Sequence, residues 1–349
     1  MPKARSALLA RCKRQSLVQA SYNRRMTVPD GVFLGIDLGG TKIRSMSFNR
    51  DMQVVAEDYR ETEAFLGRDA VIARMADSAR AAAKGSPIIA AGISAPGPLR
   101  PKDGIVTEPP NLPGWRDVPL AQLLSDRLGA PAWIENDANA AALAESRMGA
   151  GVGLQHMILM TLGTGIGGGL ILDGKLYDGA TGGAGEIGHM IVLPDGPICG
   201  CGRHGCLEAM ASGVAFAREA ASLVERFPDG ILAKIVREAN EEPDAKLLQQ
   251  AAEAGDIQAE EVIRIAGRYL GAGMTNLVNV FNPEMIVIGG SLRLMGEPYL
   301  GEAYHVLERD AFSQHFSDLR IAEAKLSDEA PAIGAAYLAR AHLEQATAS

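Results

Sequence analysis

The chain has 349 residues, 47% hydrophobic and 22% charged, enough for two folded units and unlike a disordered polymer. Residues 1–30 hold seven bases (Lys3, Arg5, Arg11, Lys13, Arg14, Arg24, Arg25) and one acid, Asp30, so of the overall charge of −8 the remainder carries −14. A body that acidic argues against nucleic-acid binding through phosphates, and no apolar run approaches the roughly 20 residues of a membrane span.

Residues 1–30 are expected to be a disordered basic extension, or to reflect an upstream start with Met26 opening the functional chain; an Arg-rich transit segment is the alternative. Ala7–Ala10 is too short for the apolar core of a signal peptide, so the expected location is the cytoplasm, where disulfides are disfavoured. Short apolar runs predict strands over Val32–Ile36, Lys42–Phe48 and Val54–Tyr59, joined by tight turns. Helical spacing follows over Arg68–Lys84, then a buried-type strand over Ile88–Ser94, a helix over Leu120–Leu128, a strand over Ala132–Glu135 and a helix over Ala138–Met148. A second unit opens near Gly149 and repeats the order of strand, glycine turn and strand with His156–Leu162, Gly163–Gly169 and Gly169–Leu172. Beyond it come helices over Val214–Arg226 and Ile257–Phe281, a strand over Met285–Ile288 and a final helix over Pro331–Leu343.

Forty glycines exceed the usual ~7% share of a globular chain, and many fall in three motifs. In Gly35-Ile36-Asp37-Leu38-Gly39-Gly40-Thr41-Lys42 a strand ends on a carboxylate able to hold Mg²⁺ through water, followed by a backbone turn that suits an anion. The spacing is not that of a Walker loop, and a plain hairpin needing glycine for positive φ is the competing reading. Thr161–Gly169 packs five glycines into seven residues between two strands, more than a turn demands, which favours close approach of a phosphate. Ile286–Ser291 is a third strand-to-glycine turn, at Gly289 and Gly290, suited to facing a nucleotide base or to opening a helix. Glu135-Asn136-Asp137-Ala138-Asn139 places Asp137 where a strand meets a helix, as N-cap or as a base for an alcohol attacking phosphorus. His189, Cys199, Cys201 and Cys206, within 18 positions, form a complete tetrahedral set for a structural Zn²⁺, with no coordination position left for water; His204 is a poorer fourth ligand. Such a knot would fix Glu186 and Glu208, carboxylates suited to sugar hydroxyls, and Asn111 could join that pocket.

Taken together these motifs resemble the ROK family of repressors, open reading frames and sugar kinases, from Gly31 to about Leu343. The run from Leu162 through Gly165, Gly167, Gly179, Gly185 and Gly188 to His189, with Cys-x-Cys-x₄-Cys, carries the resemblance. It implies an α/β, two-lobed actin-like ATPase (ribonuclease H-like) fold with ATP and sugar meeting in the interdomain cleft. The lobes would be residues 31–138, joined by a C-terminal helix over 331–345, and residues 139–330 with the zinc knot. It further implies phosphate binding by Asp37, Gly39, Gly40, Thr41 and Lys42 and by Gly163, Thr164, Gly165, Gly167 and Gly168, with Gly289 and Gly290 on the nucleotide side. Asp137 would be the base that deprotonates a sugar 6-hydroxyl, and Asn111, Asn136, Glu186, His189 and Glu208 would bind the sugar. The implied cofactors are ATP, Mg²⁺ and structural Zn²⁺, the implied assembly a homodimer or homotetramer, with no nucleic-acid or membrane partner. Glucokinase is the branch of best resemblance; N-acetylmannosamine kinase, fructokinase and allokinase remain open. A sugar-responsive repressor is disfavoured, since about 30 residues precede the first motif.

Overall fold

The computed structural model describes residues 30–348; the basic extension, with its readings as disordered or transit segment, and Cys12 lie outside the described residues. Strands β1 (Val32–Leu38), β2 (Lys42–Phe48) and β3 (Val54–Glu61) form an antiparallel meander, to which β4 (Ile88–Ala95) adds in parallel beside β1. A short hairpin, β5 (Leu99–Arg100) and β6 (Ile105–Val106), precedes β7 (Ala132–Asn136), and the first sheet has the order β3-β2-β1-β4-β7. The second sheet, from β8 (Met157–Leu162), β9 (Ile166–Leu172), β10 (Lys175–Leu176), β11 (Met285–Gly289) and β12 (Arg320–Glu323), has the order β10-β9-β8-β11-β12. Each sheet is thus an antiparallel meander extended by two parallel strands, the repeated half of the two-lobed actin-like ATPase fold.

The helices are α1 (Arg68–Ala83), α2 (Leu120–Leu128), α3 (Asp137–Met148), α4 (Leu207–Ala211), α5 (Gly213–Arg226), α6 (Ile231–Ala239), α7 (Ala245–Glu253), α8 (Ile257–Phe281), α9 (Glu302–Asp310), α10 (Ser313–Phe316) and α11 (Ala330–Ala348). β1 and β4 are apolar almost throughout because both faces are covered, by α1 over β1 and α2 over β4 on one side and by α11 on the other. α3 lies on β8 and β9 and packs against α11, so these two alanine-rich helices fill the space between the sheets. Side chains of one carbon permit very close approach. A Cβ on Gly35 of β1 or Gly92 of β4 would strike the carbonyl of Ala332 or Ala335 in α11, and one on Gly334 would strike that of Ala140 in α3. Gly92→Val is therefore expected to lower stability in urea by about 3 kcal/mol or more, since neither backbone can yield without disturbing a sheet or a helix. A loss under about 1 kcal/mol would show the seam to be looser than this packing indicates.

The expected glycine turn over 163–169 is shorter than its composition suggested. β9 begins at Ile166, which pairs with Leu162, and Gly167, Gly168 and Gly169 are strand residues opposite Thr161, Met160 and Leu159. Their missing side chains admit neighbours: a Cβ on Gly168 would collide with Ile187, and one on Gly169 with Ala142 of α3. α6, α7, α9, β10 and β12 were not anticipated from the sequence.

Candidate functional site

The first glycine turn joins β1 to β2. Gly39 N–H donates to the Lys42 carbonyl at 2.8 Å, and Thr62, at the end of β3, holds the turn from behind: its hydroxyl donates to the Gly39 carbonyl at 2.7 Å and its N–H to that of Thr41 at 2.8 Å. Neither Gly39 nor Gly40 adopts a left-handed φ, so the hairpin does not need glycine for its conformation. What Gly40 supplies is space: a Cβ there would lie 2.9 Å from Cβ of Asn111, which brings exposed Asn111 against the turn. The turn is a bare stretch of backbone open to an anionic ligand.

Asp37, Ser94 and Glu135 occupy matching positions on the parallel strands β1, β4 and β7, with Asp137 just beyond β7. Functional groups therefore collect at the carboxyl ends of parallel strands, where α/β sheets bind ligands. Ser94 Oγ donates to Asp37 Oδ1 at 2.9 Å. Burial pushes the Asp37 carboxyl up to about 7, the Asp137 carboxylate adds to the rise, and the Ser94 hydrogen bond opposes it. Asp137 is exposed on the cleft, yet desolvation by the surrounding protein raises its carboxyl, against hydrogen bonds from Ala138 N–H to its Oδ1 at 2.7 Å and from its own N–H. The N-cap of α3 is Asn136, not Asp137: its Oδ1 accepts from Ala138 N–H at 2.9 Å and Asn139 N–H at 3.3 Å. Asp137 is thereby released from the capping duty that competed with a chemical role.

Because the folded-state pKa of Asp37 exceeds its unfolded value, the folded protein binds a proton that the unfolded chain has lost between about pH 4 and 7, so this residue makes stability fall as pH rises through that window. Thermal melts in cation-free buffer should show a shallower decline for Asp37→Asn; identical slopes for the two proteins would remove the claim. Two carboxylates raised by burial and facing one cleft are a fitting site for a divalent cation.

Asp37, Gly39, Thr41, Lys42 and Asp137 line a cleft of about 670 Å³, closed on its other side by Gly289, Gly290 and Ser291. A neighbouring cavity of about 560 Å³ is lined by Gly163, Thr164, Gly213, Lys246 and Gln249 and shares Ser291 and Leu294 with the cleft. The turn between β8 and β9 is pinned there by Gly213 N–H to the Gly163 carbonyl at 2.9 Å and Val214 N–H to that of Thr164 at 3.1 Å. Gly167 and Gly168 line neither cavity: Gly167 admits the Thr161 hydroxyl and Gly168 admits Ile187. Gly290 takes φ +84 and opens a short 3₁₀ segment over Ser291–Met295, so the third motif is both a cleft wall and a helix entry.

His189, Cys199, Cys201 and Cys206 bring one ligand atom each to within 4.8 Å of one another. The separations of 3.6 Å from His189 Nδ1 to Cys199 Sγ and from Cys201 Sγ to Cys206 Sγ approach the roughly 3.8 Å edge of a tetrahedron with metal–sulfur distances near 2.3 Å. His204 is directed elsewhere, its Nδ1 2.9 Å from the Gly196 carbonyl. His189 Nε2 faces Glu186 Oε2 at 3.9 Å. Glu208, two residues past Cys206, accepts from Ile166 N–H at 3.0 Å through Oε2, while Oε1 lies 3.5 Å from Cys199 Sγ. One carboxylate thus ties the cysteine cluster to the second glycine hairpin. Gly185 approaches Asn139 of α3, which links the loop carrying Glu186 to the helix headed by Asp137.

Sequence reasoning missed Arg44, Arg293 and Asp328, all on the cleft wall. For Arg44 a signal existed: Lys42 and Arg44 alternate on β2, so both face the side on which Asp37 lies opposite Arg44.

The sequence profile of the ROK family matches residues 33–342. The glucokinase of Thermotoga maritima is 34% identical over 311 residues, spanning 89% of this chain and 98% of that protein. The xylose repressor of Caldicellulosiruptor bescii is 32% identical over 311 residues, spanning 87% of this chain and 77% of that protein. A solved ROK family glucokinase from Streptomyces griseus, in complex with glucose and AMPPNP, is similar in fold with a TM-score of 0.73 at 34% identity, over 89% of this chain and 100% of that one. Similarity that spans nearly all of the described body, in sequence and in fold, establishes that this chain belongs to the ROK family.

Proposed function

We propose that this protein transfers the terminal phosphoryl group of MgATP to the 6-hydroxyl of a hexose, with D-glucose as the preferred acceptor. The observation that carries the reading is Asp137: an exposed carboxylate that is not the helix cap, its proton affinity raised by desolvation within the cleft it shares with a glycine turn and a second carboxylate. The glucokinase from Thermotoga maritima and the glucose-bound glucokinase structure support the choice of sugar.

In this reading the nucleotide lies between the cavity at Thr164 and Lys246 and the cleft at Asp37, with its phosphates against the Gly39–Thr41 backbone and the Gly163–Gly165 turn. Bound Mg²⁺ supplies charge neutralisation on the transferring phosphoryl, and Asp37, braced by Ser94, is the residue placed to hold it through water. Asp137 orients the sugar hydroxyl and accepts its proton at Oδ2 as the oxygen attacks phosphorus. Asn111, Asn136, Glu186, His189 and Glu208 bind the remaining hydroxyls. Asn136 does so through its amide, because its oxygen caps α3. His189, Cys199, Cys201 and Cys206 hold Zn²⁺ in a closed site that positions Glu186 and Glu208 and performs no hydrolysis.

The test is a coupled ADP-release assay over glucose, fructose, allose, mannose and N-acetylmannosamine with MgATP. Glucose should give the highest kcat/KM. A higher value for N-acetylmannosamine would move the protein to that activity, and no turnover with any sugar would overturn the proposal.

A further inference from the structure

We infer that Glu145 is a positioning residue of the transfer reaction: it ties together the two segments by which the chain crosses between the lobes, and so couples the sugar and nucleotide sides of the cleft; this rests on the phosphoryl-transfer reading above. The first crossing runs from β7 of the first sheet into α3, which lies on the second sheet. The second runs from β12 of the second sheet, through residues 324–329, into α11, which covers β1 and β4. Asp137, Ala141 and Glu145 recur every four residues on one face of α3, and all three line the cleft. Asp137 stands exposed at one end of this stripe, whereas Glu145 is wholly buried at the other.

Both Glu145 oxygens accept backbone hydrogen bonds, each from a different segment. Oε2 takes the Ala150 N–H at 2.7 Å, in the turn that leaves α3, and Oε1 takes the Leu326 N–H at 2.8 Å, in the second crossing. Gly149 keeps room for this arrangement, since a Cβ there would strike Oε2. Stability alone is a poor reason for a carboxylate at this position, because it lies in the last turn of α3, where the helix dipole disfavours negative charge, and burial strips it of water. What the side chain contributes is a fixed place for Leu326. The next residue, Ser327, is held at φ +45, and Ser327 and Asp328 form part of the cleft wall. The Asp328 carboxylate is near enough to Asp37 to add to the upward push on its carboxyl. One buried side chain thus joins the helix headed by Asp137 to the segment that faces Asp37. A change of angle between the lobes passes through both crossings, and Glu145 makes them move together.

The experiment measures calorimetric binding of glucose with and without the non-hydrolysable MgAMPPNP, and of MgAMPPNP alone, to wild type and Glu145→Gln, beside steady-state kinetics with MgATP and glucose. An amide keeps the size of the side chain but accepts at one oxygen only and turns a donor toward the other N–H. MgAMPPNP should tighten glucose binding to wild type about fivefold or more, the lower end of usual coupling between sites, and to Glu145→Gln less than about twofold. Each ligand alone should bind the two proteins within about threefold, while kcat of the mutant falls about 10–100-fold, as when reacting groups are misplaced by about 1 Å. A mutant that melts at a lower temperature but keeps the wild-type coupling makes Glu145 a structural brace and overturns the inference, as does a wild type that turns over glucose with no coupling at all. Should Glu145→Gln fail to fold, Glu145→Asp, one methylene shorter and unable to reach both segments, carries the same comparison. If another sugar proves to be the preferred acceptor, the same ratios are read with that sugar. A wild type that binds sugar and MgAMPPNP cooperatively but phosphorylates no hexose would sink the functional proposal alone, and the binding data would still decide Glu145.

Discussion

Asp137→Asn is expected to lower kcat by about 10²–10⁴-fold, the usual contribution of a positioned general base, while equilibrium binding of glucose stays within about twofold. The asymmetry follows from where the residue sits. Asp137 is the first residue of α3, but Asn136 provides the side-chain cap and Glu135 steadies the strand end by accepting from Asn136 N–H and from Asn139 Nδ2. Replacing one carboxylate oxygen by an amide leaves that scaffold intact. It removes the acceptor for the hydroxyl proton and puts a donor in its place, so the attacking oxygen must be deprotonated by solvent. Rapid-quench measurement of the phosphoryl-transfer step, set beside calorimetric glucose binding, separates the two quantities. A mutant turning over at more than about a third of the wild-type rate would return Asp137 to a purely structural role.

Loss of the metal should have the second largest effect, on the sugar and not on the chemical step. Burial pushes the Cys199 thiol up to about 12, so without a cation that ligand keeps its proton and the site loses the electrostatic reason for drawing four ligands together. In the proposed sugar pocket Glu208 is the link to that cluster: it is held between Cys199 and the backbone of Ile166, and His189 stands beside Glu186. Cys206→Ser, or prolonged chelation, should release about one zinc per chain and raise KM for glucose about 10–100-fold, with a smaller change in kcat, as when ligand-supporting groups are removed elsewhere. Atomic absorption of the dialysed protein and glucose saturation curves check both halves. Metal-free protein with an unaltered KM would dissociate the cysteine cluster from the sugar pocket.

The sequence was informative where a local rule sufficed. The helices Leu120–Leu128 and Ile257–Phe281 and the strand Lys42–Phe48 fall on their expected residues, because apolar periodicity and flanking turns act over a few positions. β12 did not declare itself: Arg320–Glu323 is four residues of mixed polarity, and it is a strand because β11 offers it a parallel edge. The glycines after Thr164 showed that something approaches closely, yet composition could not distinguish a ligand from α3 and Ile187. The cleft position of Asp137 and the clustering of His189, Cys199, Cys201 and Cys206 were legible because they sit in short local motifs, whereas the position of Asn111 against Gly40 depends on a loop more than 70 residues away in the chain. Arg44 was passed over for the opposite reason. A lone arginine on a strand is unremarkable until the sheet sets it opposite Asp37 on the wall of the cleft.

The seam between the sheets has a mechanical consequence. α3 meets β9 through Ala142 and Gly169, and meets α11 through Ala140 and Gly334, surfaces with almost no side-chain relief. Knobs set into holes would resist twisting, because each must change rotamer to leave its socket; smooth facing backbones swivel with nothing to unlock. α3 is in effect an axle, and Asp137 sits at its tip. If the two halves close over the sugar in the proposed reaction, Asp137 stays near the line about which they turn.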